Sequence, residues 1–237
     1  VLTAITVAFE PVVRMAHRLG SGHLERVIRL LSGLIIRVLS IAGTRFRVDL
    51  SSELTPDRGY ILVANHQSML DVPLIQAALP CHVGFVGKRS LRRGIPSVSF
   101  ALRNGPYALV DRGDPVRSMQ AIRRLGKRAD AAKSVVAIFP EGTRSRSGAL
   151  GEFNWAGTLA MLKVAPGLAV VPVTIDGSWV FYRNNLLPVP FGTTVRLHIG
   201  EPIAAGADAM AALEEVRAAI VAKLQQWRGG EGTGPKT

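Results

Sequence analysis

The amino-acid sequence predicts an α/β fold: a mixed, largely parallel sheet flanked by helices and preceded by an amphipathic helical segment. Three observations carry that prediction. Six short runs rich in β-branched and aromatic residues recur after position 45. Helical periods and helix-start signals lie between several of them, the alternation that builds an α/β sheet. The first 44 residues are apolar but repeatedly broken by charge, which suits helices with two unlike faces.

In chain order, a first helix is expected from Ala4 to Leu19 around Pro11, and a second over 24–39. In the second, Arg26, Arg29, Gly33 and Arg37 share one face on a 3.6-residue period, while Ile28, Leu31, Ile35 and Leu39 crowd another. A helix of this kind lies in a membrane plane, its arginines at the headgroups and its apolar face in the acyl boundary. The alternative is that the same face packs on the domain's own core. No run reaches the ~18 to 20 apolar residues of a spanning helix. The segment also lacks the charged start and cleavage site of a secretory signal, so no export is expected. The expected strands are Tyr60–Ala64, Val83–Val86, Tyr107–Val110, Val135–Phe139, Ala169–Ile175 and Val195–Ile199. Asp114 before Pro115 reads as an N-cap and first helical residue, with Val116, Met119, Ile122 and Leu125 along one face. Leu213, Val216, Ile220, Leu224 and Trp227 recur at helical spacing in a terminal helix. The division that follows is 1–44 for N-terminal membrane-associating helices, 45–228 for the α/β domain, and 229–237 for a disordered tail.

Composition limits the partners. The 237 residues are 48% hydrophobic, yet 29 Lys and Arg stand against 17 Asp and Glu, a net charge of +12. So apolar a chain is not disordered. Cys81 is the single cysteine, which excludes an intrachain disulfide and a cysteine-based zinc cage and fits a reducing compartment. The charge points to a partner that is anionic and apolar, or to nucleic acid. Aromatics make up only 6%, and no RNA-recognition or helix-turn-helix signature is present, so an anionic membrane or phosphorylated lipid fits and nucleic acid does not.

Two segments carry candidate chemistry. Asn65-His66-Gln67-Ser68-Met69-Leu70-Asp71 stands where an expected strand turns into a helix, the place where α/β folds put their sites. A histidine with a nearby carboxylate makes a general base, because the carboxylate fixes the tautomer and stabilises the imidazolium. Ser68 and Asp71 also spell a capping box, the purely structural reading of the same spacing. Phe139-Pro140-Glu141-Gly142-Thr143-Arg144-Ser145 again follows an apolar run. Its Arg144 offers a planar fork matched to phosphate, Gly142 allows close backbone approach and Thr143 supplies a hydroxyl; a solvated surface turn is the alternative. No Gly-x-Ser-x-Gly elbow or phosphate loop is present, and Cys81 with His82 makes a poor dyad because strand neighbours point to opposite faces.

An Asn-His-x-Ser-x-x-Asp followed some seventy residues later by Phe-Pro-Glu-Gly-Thr-Arg-Ser resembles the glycerolipid acyltransferases, in particular the bacterial 1-acylglycerol-3-phosphate acyltransferases. Val110-Asp111-Arg112 and Val170-Val171-Pro172-Val173 resemble two further blocks of that family, and Lys88 falls where relatives carry a basic residue ahead of a helix. The resemblance covers 60–172, about half the chain. It implies transfer of a fatty acyl chain from an acyl-CoA or acyl carrier protein thioester to a lysophospholipid hydroxyl, without metal or prosthetic group. It implies a peripheral or monotopic protein on the cytoplasmic face of a bacterial inner membrane. It makes His66 the base and Asp71 its orienting partner. Arg112 and Arg144 would hold the acceptor phosphate, Glu141, Gly142 and Thr143 would shape that pocket, and Lys88 or backbone N–H groups would meet the oxyanion. One departure stands out: Phe153-Asn154-Trp155-Ala156-Gly157 occupies the place of a common Phe-Lys-x-Gly element, without its lysine and one residue longer. An acceptor lacking a phosphomonoester, such as a lyso-ornithine lipid or a capped lysophospholipid, is the alternative substrate. A non-catalytic lipid-binding protein is the alternative of another class.

Overall fold

A computed structural model describes residues 2–55, 58–183 and 191–229. Two helices, α1 (Leu2–Leu19) and α2 (Ser21–Ile41), lead into β1 (Arg45–Leu50) and β2 (Tyr60–Ala64). Then come α3 (Asp71–Ala78), β3 (Val83–Lys88), a 3-10 turn (Arg89–Arg92), α4 (Val98–Asn104) and β4 (Ala108–Val110). The chain continues through α5 (Pro115–Ala132), β5 (Val135–Ile138), α6 (Ala156–Leu162), β6 (Ala169–Asp176), α7 (Trp179–Arg183), β7 (Thr194–Ile199) and α8 (Ala209–Gly229). The strands form one sheet in the order β1-β7-β6-β2-β5-β3-β4, parallel throughout except for the antiparallel pair β6 and β7. The predicted α/β class and mostly parallel mixed sheet are therefore present.

The two faces of the sheet read directly off the alternation of side chains. Along β2, Tyr60, Leu62 and Ala64 join the core under α2, α3 and α7, while Ile61 and Val63 join the core under α5, α6 and α8. Along β5, Val135 and Ala137 divide from Val136 and Ile138 in the same way. Both strands are buried on both faces, which is why they read as unbroken apolar runs. The six expected strands appear, Tyr60–Ala64 with the same ends and the other five with ends shifted by one or two residues. The seventh, β1, is an edge strand of alternating charge in which only Phe46 is half-buried, and it carries no apolar run to announce it.

Two helical expectations are corrected. Of the apolar face of α2 assigned to lipid, Leu31 and Leu39 are buried and Ile35 packs against the sheet core, so protein covers this face. Arg29, assigned to the headgroup side, is half-buried, and its charge acts on Cys81 and His82. In α5, Asp114 caps by accepting from the Arg117 N–H at 3.0 Å, and Ile122 and Leu125 are buried, but Val116 is exposed because the first turn stands clear of the core. Gly229 closes α8; the rest of the expected tail, 230–237, lies outside the described residues. No helix among the described residues is long and apolar enough to cross a membrane.

Candidate active site

Central strand β2 ends at Ala64, and the turn into α3 carries Asn65, His66, Gln67 and Ser68. Asn65 fixes this turn from beneath: its amide donates to the Ile175 carbonyl at 2.9 Å and accepts the Ile175 N–H at 2.7 Å. The side chain thus continues the β2–β6 ladder for one further residue. His66 then turns toward the surface with 17% of its side chain exposed, above a fully buried Asp71.

His66 Nδ1 lies 2.8 Å from Asp71 Oδ2. That oxygen also accepts the Gln67 and Ser68 N–H groups at 2.7 and 2.9 Å. A carboxylate surrounded by donors accepts from the imidazole as well, so the proton sits on Nδ1 and the lone pair on Nε2. Among the described residues Nε2 has no hydrogen-bond partner. The other carboxylate oxygen, Oδ1, accepts the Ser178 hydroxyl at 2.6 Å, with the Ser68 hydroxyl at 3.4 Å. The structural and functional readings of this spacing are both present: the Ser68 N–H to Asp71 bond is half of a capping box, and the same carboxylate orients the histidine. Phe139 stacks on the imidazole at 4.1 Å between ring centroids and 24° between planes.

The second motif wraps the first. Glu141 accepts the His66 N–H on one oxygen and the Gly151 N–H on the other, each at 2.8 Å, and the Ser145 N–H donates to the His66 carbonyl at 2.8 Å. Burial pushes the Glu141 carboxyl above its ordinary range, against those two N–H groups, which favour its charged form. Gly142 adopts φ +63°, and its carbonyl accepts from Arg112 Nη2 at 2.9 Å. Arg112 and the Gly142 turn are therefore joined, Thr143 is exposed at its tip and Arg144 is half-buried within it. Lys88 ends β3 opposite Val110, exposed, and among the described residues forms no hydrogen bond or ion pair with His66 or Asp71. An open cavity of about 740 Å³ beside the turn is lined by Glu141, Thr143, Phe153, Asn154 and Trp155 among others.

Sequence reasoning missed a buried polar support from the turn after the neighbouring strand β6. Gly177, at φ +87° where a Cβ would run into the Thr194 carbonyl, turns the chain after β6 so that Ser178 lies beneath Asp71. Gln67, fully buried, reaches Asp176 at 3.3 Å, and Arg228 near the end of α8 pairs with Asp176 at 2.7 Å and donates to the Gly148 carbonyl at 2.8 Å. These partners lie more than a hundred residues away in sequence, and no local spacing signals them.

A histidine held by a buried carboxylate thus stands at the end of a central parallel strand, its backbone bonded to the turn that carries Glu141 and Ser145. A family model described as Acyltransferase matches residues 45–176, and the chain belongs to this acyltransferase family. It is 30% identical over 147 residues to the chloroplastic 1-acyl-sn-glycerol-3-phosphate acyltransferase of Arabidopsis thaliana, covering 62% of this chain and 40% of that one. It is 26% identical over 176 residues to the 1-acyl-sn-glycerol-3-phosphate acyltransferase of Pseudomonas aeruginosa, covering 74% and 66%. The chain spans about two-fifths of the length of the plant relatives it matches. The crystal structure of a 1-acyl-sn-glycerophosphate acyltransferase from Thermotoga maritima shares the fold, with a TM-score of 0.73 and 24% identity over 96% of this chain and 95% of that one.

Proposed function

We propose that the protein transfers a fatty acyl chain from an acyl-CoA or acyl carrier protein thioester to the free sn-2 hydroxyl of 1-acylglycerol-3-phosphate, giving phosphatidic acid. The observation that carries this reading is the His66–Asp71 pair with Nε2 left open, in a chain whose relatives bear that activity in their names. His66 Nε2 takes the hydroxyl proton as the oxygen attacks the thioester carbonyl, and Asp71 stabilises the imidazolium. On collapse the C–S bond breaks, the ester C–O bond remains, and the proton passes to the departing thiolate. A thioester is already activated, so this chemistry asks for a base, positioning and oxyanion stabilisation and for no metal or prosthetic group. Lys88 or backbone N–H groups supply that stabilisation.

The acceptor phosphate is assigned to the Arg112 and Arg144 side of the Gly142 turn. Among the described residues the neighbouring cavity is lined by Glu141 and Glu152 and by no basic residue, so it suits the glycerol or an acyl chain better than a phosphate. Residues 45–228 form the catalytic unit in this reading, and 1–44 meets the membrane. Supporting the second part, Val7, Val12, Met15 and Leu19 of α1 are exposed by 53%, 47%, 54% and 62%. Val12, Met15 and Leu19 share one outward face beside Arg18, as an interfacial helix requires.

One observation favours a second reading: Asn154, where relatives commonly carry lysine, stands on the cavity wall. A lysolipid without a phosphomonoester fits that loss of charge. The deciding experiment is turnover of a panel of lysophosphatidic acid, lysophospholipids and lyso-ornithine lipid, with His66→Ala as control. Preference for lysophosphatidic acid supports the main reading, and preference for a neutral-headgroup lysolipid selects the second. Vesicle binding without transfer to any acceptor rejects both in favour of a lipid-binding protein.

A further inference from the structure

The edge strand β4 borders a groove rimmed with arginine. Arg89 and Arg92 come from the 3-10 turn, Arg103 from α4, and Arg117, Arg124 and Arg128 from α5, around about 530 Å³. Tyr107, Leu109 and Leu125 give the groove an apolar wall. Internal compensation for this charge is thin. Arg117 pairs with Asp114 at 3.3 Å, Arg103 donates to the Arg92 carbonyl, and Glu25 lies within electrostatic reach of Arg128. Among the described residues Arg89, Arg92 and Arg124 have no ion-pair partner. Like charges crowded in one concave surface raise the potential there and concentrate anions.

The position of the groove matters as much as its charge. Arg89 follows Lys88 at the end of β3, and β3 pairs with β5, whose next residue is the Phe139 beneath His66. Arg117 lies in the first turn of α5, just past Arg112 and its bond to Gly142. One end of the groove therefore meets the end of the sheet that carries the His66–Asp71 pair.

Resting on the acyl-transfer reading above, we infer that this groove takes the phosphorylated adenosine end of a coenzyme A thioester. Three phosphate groups spread along one ligand need cations spread along one groove, and guanidinium forks match phosphate oxygens in pairs. The apolar wall faces the adenine and the start of the pantetheine arm. The volume is that of a small-molecule site, commonly ~300 to 1,000 Å³. A helix some ~10 to 12 Å across would fill it with about one turn, so an acidic carrier protein is the poorer match. The acceptor's single phosphate is already provided for at Arg112 and Arg144.

The test uses the full chain and the double variant Arg92→Glu with Arg124→Glu, both exposed positions, its fold checked by circular dichroism. Adenosine 3′,5′-bisphosphate is titrated calorimetrically against both proteins at fixed ionic strength, and kcat/KM is measured with acyl-CoA, acyl-pantetheine and acyl carrier protein. The expected result is saturable binding weakened about tenfold or more in the variant, with a comparable fall in the ratio of kcat/KM for acyl-CoA over acyl-pantetheine. An unchanged ratio, binding indifferent to the two arginines, or a loss confined to the carrier-protein donor overturns the inference. Arginine-dependent binding without turnover of any donor upholds the groove and rejects the reaction, so the two failures are distinguishable.

Discussion

Ser178 and Asp71 are 107 residues apart in the chain, and the serine hydroxyl lies 2.6 Å from the aspartate Oδ1. This bond comes from the turn after β6, whereas the other donors lie in the turn after the neighbouring strand β2, and it holds the carboxylate plane in which His66 is aligned. Removing the hydroxyl leaves Oδ1 with only the longer Ser68 contact and concentrates negative charge on the pair. Ser178→Ala is expected to lower kcat about tenfold with little change in acceptor KM. A variant that turns over at the parent rate, or one that loses rate and acceptor KM together with its melting temperature, would assign Ser178 to packing alone.

Asp71→Asn separates geometry from charge. The amide has one acceptor oxygen where the carboxylate had two, and its NH2 must face either the imidazole or the serine and backbone donors. Turnover is expected to fall by ~10³ or more, approaching His66→Ala. Stability falls too, by about 2 kcal/mol, because a fully buried donor is left unpaired. Chemical denaturation beside steady-state rates checks both. A variant that melts like the parent and turns over within tenfold of it would remove Asp71 from the proposed mechanism.

Acid should loosen the sheet end opposite the active site. His82, before β3, shares a hydrogen-bond contact of 3.3 Å with the Tyr107 hydroxyl. Burial first, and then the Arg29 charge, lowers its pKa from 6.5 to about 4. The folded state thus binds fewer protons than the unfolded one across this interval. The stability this contributes is full above about pH 6.5 and is lost as pH falls through about 4. Melting curves from pH 7 to pH 4 are expected to show His82→Gln losing up to about 2 kcal/mol less than the parent. Parallel curves would place the acid sensitivity elsewhere.

The outward face of α1 predicts a separable membrane function. Met15→Asp with Leu19→Asp places charge where more than half of each side chain is exposed, so the melting temperature is expected to hold. Sedimentation with anionic phospholipid vesicles is expected to drop tenfold or more, since each inserted side chain is worth ~1 to 2 kcal/mol. Undiminished binding in this variant, coupled with loss on replacing Arg18, Arg26 and Arg37, would make the attachment electrostatic only.

The residues differ in how much of this architecture they announce. Buried central strands are legible because both faces need apolar side chains, so Ile61 and Leu62 serve different cores within one readable run. β1 is not, since an edge strand with open faces tolerates Arg45, Arg47 and Asp49. The period of α2 shows that one side wants an apolar partner but not which one, because lipid and a sheet core satisfy Leu31 and Leu39 equally. At the site, the pairing of His66 with Asp71 is local and visible, and Glu141 is visible as a residue, though its grip on the His66 and Gly151 amides is not. Ser178, Gln67 and the stacking of Phe139 are products of strand order, which spacing along the chain does not encode.

Arg228, in the last turn of α8, clasps Asp176 and the Gly148 carbonyl, and through them Gln67 beside the histidine. The order of synthesis therefore bears on when the site closes. A nascent chain emerged through α7 already contains His66, Asp71 and Ser178, yet lacks the clasp that anchors the loop behind them. Tight registration of the site therefore waits for α8, whose synthesis follows that of every strand of the sheet.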